Sequence, residues 1–334
     1  MMWSPRPWMT AFAVSIFAMI IAPIAFDARH AALSRSTDKE FRAAPVGAVE
    51  FSAALKSIAI TPLVNWRTAG AQFIGEPGVS YAIETEHGRI LFDVGFNRNQ
   101  GNPSPIEHNM RALGLSLESF DWVFLSHLHR DHVGGAEWER KRSFAIGRTQ
   151  GPLHVRRVFA PVAMTYPGLE VQVTANPAEL LPGVATTGAI SRQLAIGRVD
   201  EQALVLNLEG RGLVVIVGCG HQRLDRLLER VRATFGMPIY AIVGDLHYPI
   251  EHGRLFIAGI DAQRRLASGA GILNPITTAT VSREVALLRR EVQQVVIGGH
   301  DTGDEALAEF QSVFKEDFAE ARVGATVRFE VLTE

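Results

Sequence analysis

Hydrophobic and polar positions divide the 334-residue chain into three stretches. The first is residues 8–26, which hold no charged side chain. As a helix this run would rise about 28 Å, enough to cross a hydrocarbon core. Its basic flank is thin, consisting of Arg6 and the α-amine. A cleaved signal peptide calls for a shorter apolar run with a small-x-small site just behind it. Ala25-Phe26-Asp27 does not fit that site, and Ala32-Leu33-Ser34 fits but lies several residues further on. The pattern predicts an N-terminal hydrophobic helix in residues 1–30, read first as an uncleaved membrane anchor through residues 8–26 and second as a cleaved signal. Either reading places the rest of the chain outside the cytoplasm, on the inner membrane or free in the periplasm, because a long following segment is translocated. Residues 31–57 are mixed polar and Ala-rich and read as a linker. Residues 58–334 form the compact domain.

Within that domain short apolar runs recur, each ending in a small residue or directly in His or Asp. Residues 89–92 lead to Asp93, 122–125 to Ser126 and His127, and 213–217 to Gly218, Cys219, Gly220 and His221. Residues 239–243 lead to Gly244 and Asp245, and 295–297 to Gly298, Gly299 and His300. Such runs read as buried strands, and α/β proteins place their chemistry at strand ends. Further β-rich stretches cover 80–84, 154–160, 170–174 and 203–208. Helical periodicity marks 109–115, 223–235, 282–292 and 305–314. Two β-rich halves with interspersed helices predict an α+β fold of two packed sheets with helices outside.

Composition narrows the function classes. With 47% hydrophobic and 20% charged residues the chain can bury an ordinary core. A net charge of −2 gives no basic field, so nucleic acid is not an expected partner. The single cysteine, Cys219, excludes a disulfide framework and a Cys-rich zinc module. It reads as a small residue packed at a strand end, with a redox-sensitive thiol as the alternative, and not as a ligand.

The densest chemistry is His127-Leu128-His129-Arg130-Asp131-His132. Imidazole and carboxylate are ligands for zinc and similar cations. At a strand end His127 and His129 share a face, and Asp131 and His132 follow from the next turn. Donors so close in sequence can serve two metals about 3.5–4 Å apart. The bland alternative is a surface loop of clustered histidines. His221, His300 and Asp245, each behind a glycine after an apolar run, are the candidates to complete the set. Taken alone, the two histidines would read as capping or core residues and Asp245 as a turn residue. Asp245 is suited to bridge two cations, one oxygen to each. Thr186-Thr187-Gly188 forms a small polar loop that reads either as an ordinary turn or as donors to an anionic substrate.

These motifs resemble the metallo-β-lactamase superfamily from about residue 58 to the C-terminus. The similarity includes Leu91-Phe92-Asp93-Val94-Gly95, Gly244-Asp245-Leu246 and Gly298-Gly299-His300-Asp301-Thr302-Gly303. It implies a four-layer αββα sandwich in which Asp93 supports the ligand loop without binding metal. His127, His129 and His221 would hold one metal, Asp131, His132 and His300 the second, and Asp245 would bridge. Two divalent ions are implied, zinc first, with manganese or iron as alternatives. A hydroxide between them, oriented by Asp131 as a catalytic residue, would attack an ester, lactone, amide or phosphoester of a small-molecule substrate. The 186–190, 217–221 and 300–303 segments resemble a narrower metal-dependent hydrolase subgroup. That subgroup includes an archaeal synthase joining a dihydropterin to a ribofuranosyl-aminobenzene phosphate. This chain departs from it at Gly220, where Ser is usual, at Asp301, where Cys is usual, and in carrying both Asp245 and His247. His247 is therefore a ligand or substrate contact beside or instead of Asp245, and Thr187 and Gly188 are candidate substrate contacts. A synthase or a non-catalytic binding module on the same fold are the competing functions.

Overall fold

The computed structural model describes residues 7–44, 46–250, 253–257 and 259–331, with side chains of the first helix from Ile21 onward. Two seven-stranded sheets dominate. From edge to edge, the first contains Val327–Glu330, Ser57–Val64, Ser80–Thr85, Gly88–Phe92, Trp122–Phe124, Arg157–Ala160 and Val171–Val173. The second contains Phe318–Ala321, Val292–Gly298, Ile239–Gly244, Gly212–Val217, Leu204–Leu208, Val184–Thr186 and Ala178–Leu181. Each sheet mixes antiparallel hairpins with a parallel half. Gly88–Phe92 and Trp122–Phe124 are parallel in the first sheet. Gly212–Val217, Ile239–Gly244 and Val292–Gly298 are parallel in the second.

The two sheets face each other across one apolar layer. Phe92 stacks on Phe124 at 5.4 Å and Tyr81 lies 5.9 Å from Phe92 in that layer, opposite Leu206, Val214, Ile216 and Val243 of the second sheet. The far face of the second sheet is covered by helices Leu224–Phe235, Thr278–Glu291 and Asp304–Phe314. Leu224, Leu227, Leu228, Val231 and Phe235 are buried at helical spacing, and Gly236 at φ +61° stops that helix. Helices Pro105–Ala112 and Ala136–Lys141 cover the far face of the first sheet. Strands buried on both faces read as continuous apolar runs, which is why 213–217 and 239–243 stood out in the sequence.

One helix begins earlier than its periodicity predicts. The pattern points to residues 109–115, whereas the helix is Pro105–Ala112. Ser104 and Glu107 form a capping box and Pro105 takes the first position, so start signals outweigh the weaker apolar spacing. Gly114 at φ +70° ends the segment.

The N-terminus requires a larger correction. Its helix runs Pro7–Ala43, through residues whose composition reads as a linker. No glycine and only one proline, Pro23, interrupts it. Among the described residues no helix is long and apolar enough to cross a membrane. That overturns the membrane anchor and the extracytoplasmic localisation argued from it; the side chains of residues 8–20 lie outside the described residues. From Ile21 onward the helix is tied to the domain by polar contacts. Asp27 accepts the backbone N–H of Ile272 and Leu273 at 2.8 and 3.1 Å, His30 Nε2 meets the Gln193 carbonyl at 3.1 Å, and Asp38 pairs with Arg226.

Candidate metal centre

The carboxyl ends of five parallel strands, two from the first sheet and three from the second, bring their following residues together. Glycines permit the approach. Gly220 sits at φ +78°, and a Cβ there would lie 2.8 Å from the Leu246 Cα. At Gly298 a Cβ would collide with the Asp245 carboxylate and the Asn65 amide.

His127, His129, His132, His221, His247 and His300 form one continuous group of rings. His127 lies 4.6, 4.1 and 5.0 Å from His129, His132 and His221, centroid to centroid. His221 lies 4.8 Å from His129 and 4.5 Å from His247, and His132 lies 5.8 Å from His300. Three sets of donor atoms fall within 4.8 Å of one another: Asp131–His132–Cys219–His300, His127–Cys219–His221 and His221–His247–Asp301. Both ring nitrogens of buried His221, Nε2 of His247 and Nδ1 of His300 find no hydrogen-bond partner among the described residues. Buried polar atoms are ordinarily paired, and imidazole nitrogens facing other donors fit a cation as the missing partner. The donor set therefore fits divalent metal.

Surrounding carboxylates orient these donors. Asp93, at φ +52°, accepts the Ser126 N–H at 2.7 Å and the Ser126 hydroxyl at 2.6 Å, and its Oδ2 is 2.7 Å from His132 Nδ1. That contact leaves His132 Nε2 facing Cys219 Sγ at 2.8 Å. Asp131 Oδ2 is 3.0 Å from His300 Nε2, and Asp301 Oδ2 is 2.9 Å from His247 Nδ1. Gln263 donates to the other Asp301 oxygen. Glu201 accepts the backbone N–H groups of Cys219, Gly220 and His221 at 2.9, 3.0 and 2.6 Å, fixing the loop that carries Cys219 and His221.

Burial and mutual repulsion hold His127 and His221 well below the usual histidine range, and burial lowers His129 to about 4. These three are neutral at pH 7, which leaves a ring nitrogen of each able to act as a donor. For Asp131, burial pushes upward, but the His300 hydrogen bond and the His132 and His300 charges outweigh it and hold the carboxyl below its ordinary value. His300 is the counterpart: burial lowers it, yet Asp301 and Asp131 raise it to about 10. Burial is the first cause that raises Cys219 well above the usual thiol range, followed by the charges of Asp301 and Asp131.

The metallo-β-lactamase superfamily model matches residues 74–300, more than half of the chain. The chain belongs to the metallo-β-lactamase superfamily. Its relatives include the 7,8-dihydropterin-6-methyl-4-(β-D-ribofuranosyl)-aminobenzene-5'-phosphate synthase of Methanocaldococcus jannaschii, 26% identical over 302 residues, 77% of this chain and 91% of the relative. Among solved structures, a metal-dependent hydrolase of the β-lactamase superfamily, Tm1679, superposes with a TM-score of 0.55 at 20% identity. That match covers 82% of this chain and 100% of the other.

Against this superfamily frame, the predicted site residues fall into two groups. His127, His129, Asp131, His132, His221 and His300 are gathered in one place, with His247 beside them. Asp245 is close but engaged otherwise: Oδ2 accepts from Asn65 at 3.1 Å and Oδ1 accepts the Asp301 N–H at 3.1 Å. It belongs to none of the three donor sets. Thr187 and Gly188 are turned inward. The Thr187 hydroxyl meets the Gly188 carbonyl and the Ala203 N–H, each at 2.9 Å, and Gly188 at φ +64° packs against Asn176. Neither lines the cavity beside His247. The sequence reading set Cys219 aside as a packed residue, took Asp301 only as a departure from the subgroup motif, and missed Glu201. The first two carry a signal, since each lies within two positions of a candidate histidine. Glu201 carries none, because its partners lie 18 to 20 residues away.

Proposed function

We propose that the chain is a metal-dependent hydrolase acting on an ester, lactone, amide or phosphoester of a small molecule. The observation that carries this reading is buried His221, with both ring nitrogens unpartnered inside two donor sets. His127, Cys219 and His221 would hold one divalent ion and Asp131, His132 and His300 a second, with His129, His247 and Asp301 at the margin. When bound, such ions supply Lewis acidity and acidify water to near-neutral pKa. The protein's own part is orientation and proton handling. Asp93 fixes the His132 tautomer by taking its Nδ1–H, as outer carboxylates do for metal-binding histidines. Glu201 fixes the loop of Cys219 and His221. Asp131, ionised and hydrogen-bonded to His300, can orient an attacking water.

Hydrolysis of a panel of nitrophenyl esters, lactones and phosphodiesters tests this. Activity is expected to vanish on chelation and to return with added zinc or manganese; full activity in the chelated chain would contradict it. A second reading, a synthase, is favoured by the 26%-identical archaeal relative. It expects calorimetric binding of a reduced pterin, and no binding would set it aside.

A further inference from the structure

A cavity of about 530 Å³ opens beside the metal centre and reaches His247 and Gly220. That volume suits a small-molecule ligand. One wall is the N-terminal helix, which contributes His30, Arg35 and Asp38 and lies ahead of the segment shared with the superfamily model. Five arginines line the cavity: Arg35, Arg192, Arg223, Arg226 and Arg283. Two are already paired, Arg223 with Asp225 at 2.7 Å and Arg226 with Asp38. Arg192 is not. Its guanidinium donates to the carbonyls of His221 at 3.2 Å and Gly269 at 3.0 Å and has no carboxylate partner among the described residues. Arg283 reaches only the Thr280 hydroxyl at 3.4 Å, and Arg35 also lacks a carboxylate partner among the described residues. The opposing lining carboxylates are Asp38, taken by Arg226, and Glu284, which accepts the Tyr248 hydroxyl at 2.6 Å. The cavity therefore carries an excess of positive charge over its two lining carboxylates, with His247 of a donor set on its wall.

We infer that this cavity is the substrate-binding chamber, that it takes a molecule with an anionic end, phosphate or carboxylate, held by Arg192 with Arg35 and Arg283, and that the N-terminal helix is a specificity-determining wall. Guanidinium is the side chain suited to bidentate capture of either anion. The Arg192 bond to the His221 carbonyl ties the anion site to the loop bearing a metal donor, so the labile bond of the substrate would lie toward His221 and His247. This inference rests on the metallohydrolase reading for the chemistry, but the binding it describes does not require the metal.

Calorimetric titration of the full chain with phenylphosphonate and with benzoate tests it. The titrations use metal-loaded and chelated protein, and the variants Arg192→Met and Arg35→Met. Binding by the chelated chain is expected, weakened roughly tenfold in Arg192→Met and by about threefold in Arg35→Met. Metal content is expected to be unchanged in Arg35→Met, which touches no donor. The tighter of the two probes names the anion as phosphate or carboxylate. Wild-type affinity in both variants, or binding abolished by chelation alone, would overturn the chamber while leaving the metallohydrolase intact. Arginine-dependent binding in a chain that takes up no metal would support the chamber and fail the hydrolase reading.

Discussion

Asp93 shows how one buried carboxylate sets a whole site. It carries no ligand role in the geometry, yet it takes the Nδ1 side of His132 and two donors from Ser126. Asp93→Asn keeps the shape and removes the charge that fixes the tautomer. Metal affinity is expected to fall roughly 10- to 100-fold, read by competition with a chelating dye, with the fold retained by circular dichroism. The neutral histidines give a second expectation. His127, His129 and His221 are depressed in the folded state, so below the ordinary value of 6.5 the unfolded chain binds more protons than the folded one. Their contribution is present above pH 6.5 and is lost as pH falls toward about 4, the folded value of His129. His300, raised to about 10, stays protonated in the folded state, and it and Glu201, raised to about 7, work against this loss, so the three histidines are read from the difference between parent and variant. Between pH 6.5 and 4, thermal melts of metal-free His129→Gln should lose less stability on acidification than those of the parent; the same pH dependence in both would contradict the assignment. At this scale the run from His127 to His132 was legible because four donor groups fall within six positions. Asp245 was less legible, because a glycine-aspartate strand end looks the same in sequence whether the carboxylate faces a cation or an amide and a backbone N–H, the partners it has in this structure.

Strands and their following turns do the assembling. The parallel strands were readable as unbroken apolar runs because both their faces are buried. Helix Pro105–Ala112 was displaced because its start is encoded by Ser104, Pro105 and Glu107 and not by apolar spacing. The N-terminal helix was misjudged for a related reason: the apolar run drew attention from the charged turns behind it, where Asp27, Asp38 and Glu40 meet the domain. Turn chemistry at the site is stringent. Gly220→Ala would place a methyl at φ +78° against the backbone of Leu246, so the turn ahead of His221 must shift. The expected cost is about 1–3 kcal/mol in chemical denaturation, with metal affinity reduced in parallel. A variant as stable and as metal-binding as the parent would show that the turn tolerates a side chain.

Across the whole molecule, two sheets converge on one cluster of six histidines, and a cationic cavity and a helix outside the superfamily segment flank it. The superfamily membership accounts for the sandwich, while the helix and the arginines are features of this chain that no short motif announced, since their residues are spread from position 30 to 284. Fold alone does not choose a substrate, so the account stands on the metal centre. The most direct test is elemental analysis of the full-length chain purified without a histidine tag. The account predicts about two divalent ions per chain, removable by chelation and restored by added metal. A content near zero that added zinc, manganese or iron cannot raise would contradict it.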